Sequence, residues 1–316
     1  MHPAFSILFF TTLAGVGQGL VFAIALAMLL GVSMDAGFVL QSLVLAEVLL
    51  VAGLGASFLH LGHKMRAWRA ALMWRTSWMS REVIVMPVFI ALVGLWALVL
   101  AAKVQAPWVA ALPLLALIGA LLLWYCTAMI YACLRFIQEW AHWLTVANFT
   151  LIGMSSGAVL ACALAAWQGQ TAFVGAAAPW ALTATLAAWA GRVLSLRRNA
   201  GLKPKSTTQS ATGIQAKRLV QKSMGMSAGS FNTREFFHGA SQVALKNIKW
   251  FFLLALFALP VLLQGFASFG ADGAAAPSGV LWLLAVLMQA PGLVAERWFF
   301  FAQAQHPQNL YYQTVS

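Results

Sequence analysis

Long apolar runs separated by short polar gaps make up most of the chain. Eight of them, at approximately 6–31, 38–59, 82–102, 107–130, 143–166, 172–195, 249–270 and 278–301, reach the roughly twenty residues a helix needs to cross a bilayer. The apolar positions are continuous rather than alternating, which excludes strands. A helix also pairs every backbone N–H and C=O within its own segment, as lipid demands. The pattern therefore predicts an all-α integral membrane bundle of eight transmembrane helices, one domain over residues 1–316. A short WQGQT turn between the fifth and sixth runs predicts an antiparallel hairpin. Residues 196–248 are the one extended polar stretch, a basic loop with Pro204 and Gly213 as breakers. Its end, where aromatic and basic residues alternate, predicts an interfacial helix.

Composition agrees with this class. The chain is 62% hydrophobic and 8% charged, against roughly a quarter charged in a soluble domain. The net charge of +12 is then a topological signal, not a sign of nucleic-acid binding. Eight spans put both termini on one side, and eighteen of the nineteen Lys and Arg fall on that side or at its edge, leaving Lys103 on the other. That bias places the termini in the cytoplasm. The N-terminus carries no Lys or Arg before a run too long for a signal peptide, and it reads as a retained first span. Cys126, Cys133 and Cys162 lie in apolar segments without CxxC spacing, which gives no support to a zinc site, an iron–sulfur cluster or a disulfide framework.

The polar exceptions carry the candidate chemistry. Between His60 and Glu82 the chain holds two of its six histidines, five of its nineteen basic residues and one of its seven acids. Ser80 reads as the N-cap of the third span, with Glu82 in its first turn, where the helix dipole favours a carboxylate. Two antiparallel helix ends joined by a short loop bring the His60 imidazole and the Glu82 carboxylate to one membrane depth. Quinol oxidation releases two protons and needs such acceptors, beside an aromatic cleft open to lipid. Trp68, Trp74 and Trp78 supply aromatic groups, and Arg66 is a candidate for the rim. Charges within spans are nearly absent apart from Glu47, which is expected to be protonated and hydrogen-bonded to Gln18 on the first span, as a packing or proton site. The glycines of the first two spans predict close helix packing. All six histidines fall in loops or at span ends, which argues against bis-histidine haem.

The segment SFLHLGHKMRAWRA with Ser80 and Glu82 resembles the membrane anchor subunits of dimethyl sulfoxide reductases. MIYACLRFIQEW, SMGMSAGSFNTREFFHG and ERWFFFAQAQHPQNLYYQ are similar to the same family. The resemblance implies a haem-free anchor in the bacterial inner membrane, oxidising menaquinol from the lipid pool. It would pass electrons to an iron–sulfur subunit and a molybdopterin catalytic subunit. The histidine of the HLG motif and the glutamate opening the third helix, here His60 and Glu82, are associated with the quinol site in that family. Arg81, Arg135, Glu139 and Arg234 are candidate docking residues. Two rival readings are a secondary transporter, which predicts internal repeats and broken helices, and a purely structural anchor.

Overall fold

The computed structural model describes residues 3–59, 61–220, 222, 241–269 and 275–307, with side chains of the last segment described from 279 onward. All the regular structure among them is helical. Among the described residues, eight helices are long and apolar enough to span a membrane. They are α1 (Phe5–Leu29), α2 (Ala36–Phe58), α3 (Trp78–Ala101), α4 (Leu112–Ala132), α5 (Trp143–Trp167), α6 (Thr171–Ala200), α7 (Gln242–Phe269) and α8 (Ala275–Ala302). Helix α4 is entered through a 3-10 turn, Pro107–Ala111.

Helices α1 and α5 form the centre of the bundle, each 61% buried along its span, while the others are 28–39% buried. Small residues put them there. Gly157 of α5 sits so close to Gly19 of α1 that a Cβ on it would overlap the Gly19 backbone, and a Cβ on Gly19 would overlap Gly153. Lipid offers helices no hydrophobic drive to associate, so van der Waals contact between bare backbones holds this crossing. Gly17 and Gly53 do the same for α1 and α2, with Cβ positions 3.0–3.1 Å from Leu50 and Ala14. Gly15 and Gly55 take no part in such contacts.

Helices α5 and α6 form the expected hairpin, turning at Gly169 with φ +70. Near that turn Gln170 hydrogen-bonds Asp35, and Gln168 donates to Gln41 at 2.9 Å, tying the hairpin to the start of α2. Deeper in, Gln289, Ser155, Thr185 and Gln264 bridge α8, α5, α6 and α7 by hydrogen bonds of 2.8–3.3 Å. Helix α7 winds as a π-helix over Leu253–Ala258. The π register disturbs the ordinary backbone ladder, and Gln289 of α8 donates to the Leu256 carbonyl there. Gly292 lets α8 approach, its Cβ position lying 2.6 Å from Leu256 N.

Three boundaries differ from expectation. Helix α3 begins at Trp78, capped by Ser77, whose hydroxyl accepts from the Ser80 N–H. Ser80 is thus an interior residue, not the N-cap. Helix α6 runs on to Ala200. Of the stretch expected to form an interfacial helix, residues 233–240 lie outside the described residues, and Gln242–Phe252 is the amphipathic first part of α7 itself.

Candidate functional site

Starting α3 at Trp78 puts Glu82 just past its first turn, facing α4 and only 7% exposed. A carboxyl there needs a partner. Thr127, five residues before the end of the antiparallel α4, donates its hydroxyl to Glu82 Oε1. One turn nearer the surface, Trp78 packs edge-on against Tyr125 of α4 at 5.2 Å. Arg81 lies 4.0 Å above the Trp78 ring and donates to the carbonyls of Trp74 and Arg75, fastening the incoming loop to the head of α3. Glu82, Trp78 and Arg81 therefore form one cluster with Thr127 and Tyr125.

The other rim candidates sit on the exposed loop that leads into α3. The 3-10 stretch Lys64–Met73 has no buried residue. Arg66 is exposed and Trp68 is 62% exposed. His60 and Arg234 lie outside the described residues. The residues flanking His60 close α2, the Leu61 N–H bonding back to Phe58.

The expected Glu47–Gln18 hydrogen bond does not form. Glu47 faces α3, its Oε1 3.5 Å from the Cβ position of Gly94, and its Oε2 has no partner. Gln18 turns the other way because Gly17 and Gly19 on either side of it serve the contacts with α2 and α5. It lines a cavity of about 20 Å³ enclosed by α1, α4, α5 and α8. Trp124, Thr127, Ser156 and Arg297 also line it. Gln18 Oε1 and Trp124 Nε1 are buried with no hydrogen-bond partner among the described residues.

Sequence reading also overlooked a buried ion triad, which corrects the expectation that charges within the spans are nearly absent apart from Glu47. Arg192 of α6 and Arg297 of α8 bracket Glu296, with N–O distances of 2.8 and 3.2 Å and exposures of 1–4%. Arg192 lies 5.5 and 5.9 Å from the rings of Phe252 and Phe299, which touch each other, and Arg297 is 3.8 Å above Phe149. Phe149 in turn stacks on Tyr131, one turn beyond Thr127 on α4. The triad carries two guanidiniums against one carboxylate.

The turn between α4 and α5 is tied to α8 and α6 by hydrogen bonds. Trp140 donates to the Phe300 carbonyl at 3.0 Å, and Arg198 donates to the Gln138 carbonyl. Arg135 is exposed on this turn and Glu139 half-buried. His142 caps α5 by accepting the Leu144 N–H on Nδ1. Burial, followed by the charge of Arg198, holds its imidazole below the usual histidine value, in keeping with an unprotonated acceptor. Among the described residues no three His, Cys, Asp or Glu side chains lie together as a metal site.

Comparison with known proteins adds two findings. The family model described as DMSO reductase anchor subunit (DmsC) matches residues 1–226. Over 335 aligned positions, covering 100% of both chains, the sequence is 47% identical to a protein of Allochromatium vinosum named as a subunit of sulfite dehydrogenase.

Proposed function

The chain belongs to the DMSO reductase anchor-subunit family, and from that premise we propose that it exchanges electrons with the membrane quinone pool where α2 ends and α3 begins. A multi-pass anchor of this family associates with the catalytic and electron-transfer subunits of a molybdoenzyme-type complex. The finer reading is menaquinol oxidation at the bacterial inner membrane, with cytoplasmic termini. Oxidation of the quinol releases two electrons and two protons. Glu82 accepts one proton and His60 the other, and the electrons pass to an iron–sulfur partner and on to a molybdopterin subunit. Arg81, Arg135 and Glu139 on the terminus side, with Arg234 of the basic loop, are the proposed docking residues. Trp78 and Tyr125 flank the head group, with Arg66 and Trp68 at the outer rim.

One observation carries this reading: a carboxyl buried a single turn below the end of a lipid-facing helix, held by a threonine and roofed by aromatic rings. A purely structural residue gains nothing from a titratable group at that cost.

A second reading reverses the electron flow. The full-length relative is named as part of a sulfite dehydrogenase, and in a dehydrogenase complex electrons from a substrate such as sulfite would reduce the quinone. The same residues would then donate protons. Both readings place the head group beside Glu82.

The test is binding of a fluorescent quinol analogue, quenched when bound, to membranes holding the assembled complex. Glu82→Gln and His60→Ala are each expected to weaken binding at least about tenfold, roughly 1.4 kcal/mol, with the partner subunits retained. Native affinity in both variants would remove the site from this position.

A further inference from the structure

Two features lie beyond the proposed quinol site: the cavity behind Thr127 and the surplus positive charge of the buried triad. A site holds a water when it has about 10–15 Å³ of room and two to four polar partners. This cavity has about 20 Å³ and is lined by Gln18, Trp124, Thr127, Ser156 and Arg297. Two of its buried polar atoms, Gln18 Oε1 and Trp124 Nε1, want partners, one to accept and one to donate. Thr127 stands between the two regions. Its hydroxyl donates to Glu82, which leaves its oxygen free to accept from the cavity side.

We propose that one ordered water in this cavity completes a hydrogen-bonded arm from Glu82 through Thr127 to Arg297, and that Arg297 is a positioning residue whose charge favours the ionised Glu82 carboxylate. The proposal rests on the reading of Glu82 as the quinol's proton acceptor. Glu296 is shared between two arginines, so among the described residues the triad carries one more positive charge than its carboxylate balances. Ionised Glu82 supplies the balancing charge. Thr127 and Arg297 line the same cavity, and one turn along α4 Tyr131 stacks on Phe149, the ring that Arg297 covers.

The other groups facing Glu82 are fixed. On α4, Thr127 donates to Glu82, with Cys126 beside it and Tyr131 one turn on, while Glu82's chain neighbour Arg81 is turned to the Trp74 and Arg75 carbonyls and the Trp78 ring. On α2, Glu47 faces Gly94, twelve residues and roughly 18 Å further along α3. The basic residues of the Lys64–Met73 stretch are exposed to solvent.

The experiment is the pH profile of quinol-dependent activity in the assembled complex. In the quinol-oxidising direction Glu82 must be ionised to accept a proton, so activity rises with pH. Removing the guanidinium disfavours the carboxylate, and Arg297→Gln should move the rising limb up by about one pH unit, tenfold in proton concentration. Arg297→Lys should restore most of the shift. Gln18→Leu removes a water partner and fills the cavity without touching a charge, so it should move the limb in the same direction by less. An unmoved limb in intact Arg297→Gln complex overturns the proposal. If that variant does not assemble, an unmoved limb in Gln18→Leu overturns it equally. Glu82→Gln separates the two readings: full activity there sinks the quinol site itself, whereas lost activity with an unmoved Arg297→Gln limb sinks the water-bridged arm alone.

Discussion

Replacing Gly157 by valine is expected to leave membranes with little assembled protein. Any Cβ at this position overlaps the backbone of Gly19, and no rotamer change relieves a clash with main chain. The α1–α5 crossing would have to open, and it is the axis on which α2, α4, α6 and α8 are stacked. Overpacking a well-filled core costs about 1–3 kcal/mol when side chains can adjust; here they cannot, and the cost should lie at or above that range. Immunoblotting of detergent extracts, with size-exclusion chromatography of what remains, reads the effect. Gly15→Ala is the matched control, because a Cβ there meets nothing within 4 Å, and it should assemble normally.

The second large effect belongs to Glu296. Glu296→Gln leaves the Arg192 and Arg297 guanidiniums without their carboxylate at 1% and 4% exposure. Breaking a buried ion pair from one side costs about 3–5 kcal/mol, because the stranded charge keeps its desolvation penalty. The midpoint of thermal inactivation of the extracted complex should fall accordingly. Replacing the whole triad by apolar residues, Arg192→Leu with Glu296→Met and Arg297→Met, should recover most of that stability, since no buried charge is then stranded. It should not restore native quinol turnover at neutral pH, because Glu82 would have lost its counter-charge. Stability and turnover would therefore part company in the triple variant, a result that a purely structural role for the triad does not produce.

The eight spans were legible because lipid imposes length and continuous apolarity, and both are visible without a partner residue. The Gly169 hairpin and the close packing of α1 on α2 followed from the same local signals. Side-chain partners were harder. Glu82 stood out as an acid near a helix end, but its burial depends on Thr127, 45 residues away on α4, and nothing local points there. Ser80 was misread as a cap because Ser77 and Ser80 are equally good caps by type, and the choice turns on where the 3-10 stretch releases the chain. Gln18 and Glu47 matched in depth but not in direction; the flanking glycines, which assign two faces of α1 to α2 and α5, held the missing clue. Arg192, Glu296 and Arg297 were absorbed into the positive charge at the terminus side, and averaged hydropathy hid them. Their signal was positional. Arg192 precedes the end of α6 by eight residues and Glu296 the end of α8 by six, so opposite charges on two parallel helices share a depth.

The most direct measurement of the central claim is single-turnover electron exchange between menaquinol and the proposed iron–sulfur partner in the assembled complex, followed by absorbance in a stopped-flow instrument. The native complex should equilibrate electrons between quinol and partner, whichever direction its catalytic subunit drives. Glu82→Gln should slow that exchange by about a hundredfold or more, in the range general acid–base groups contribute, while the partner stays bound. Exchange at the native rate in intact Glu82→Gln complex would contradict the account and place the quinone elsewhere in the bundle.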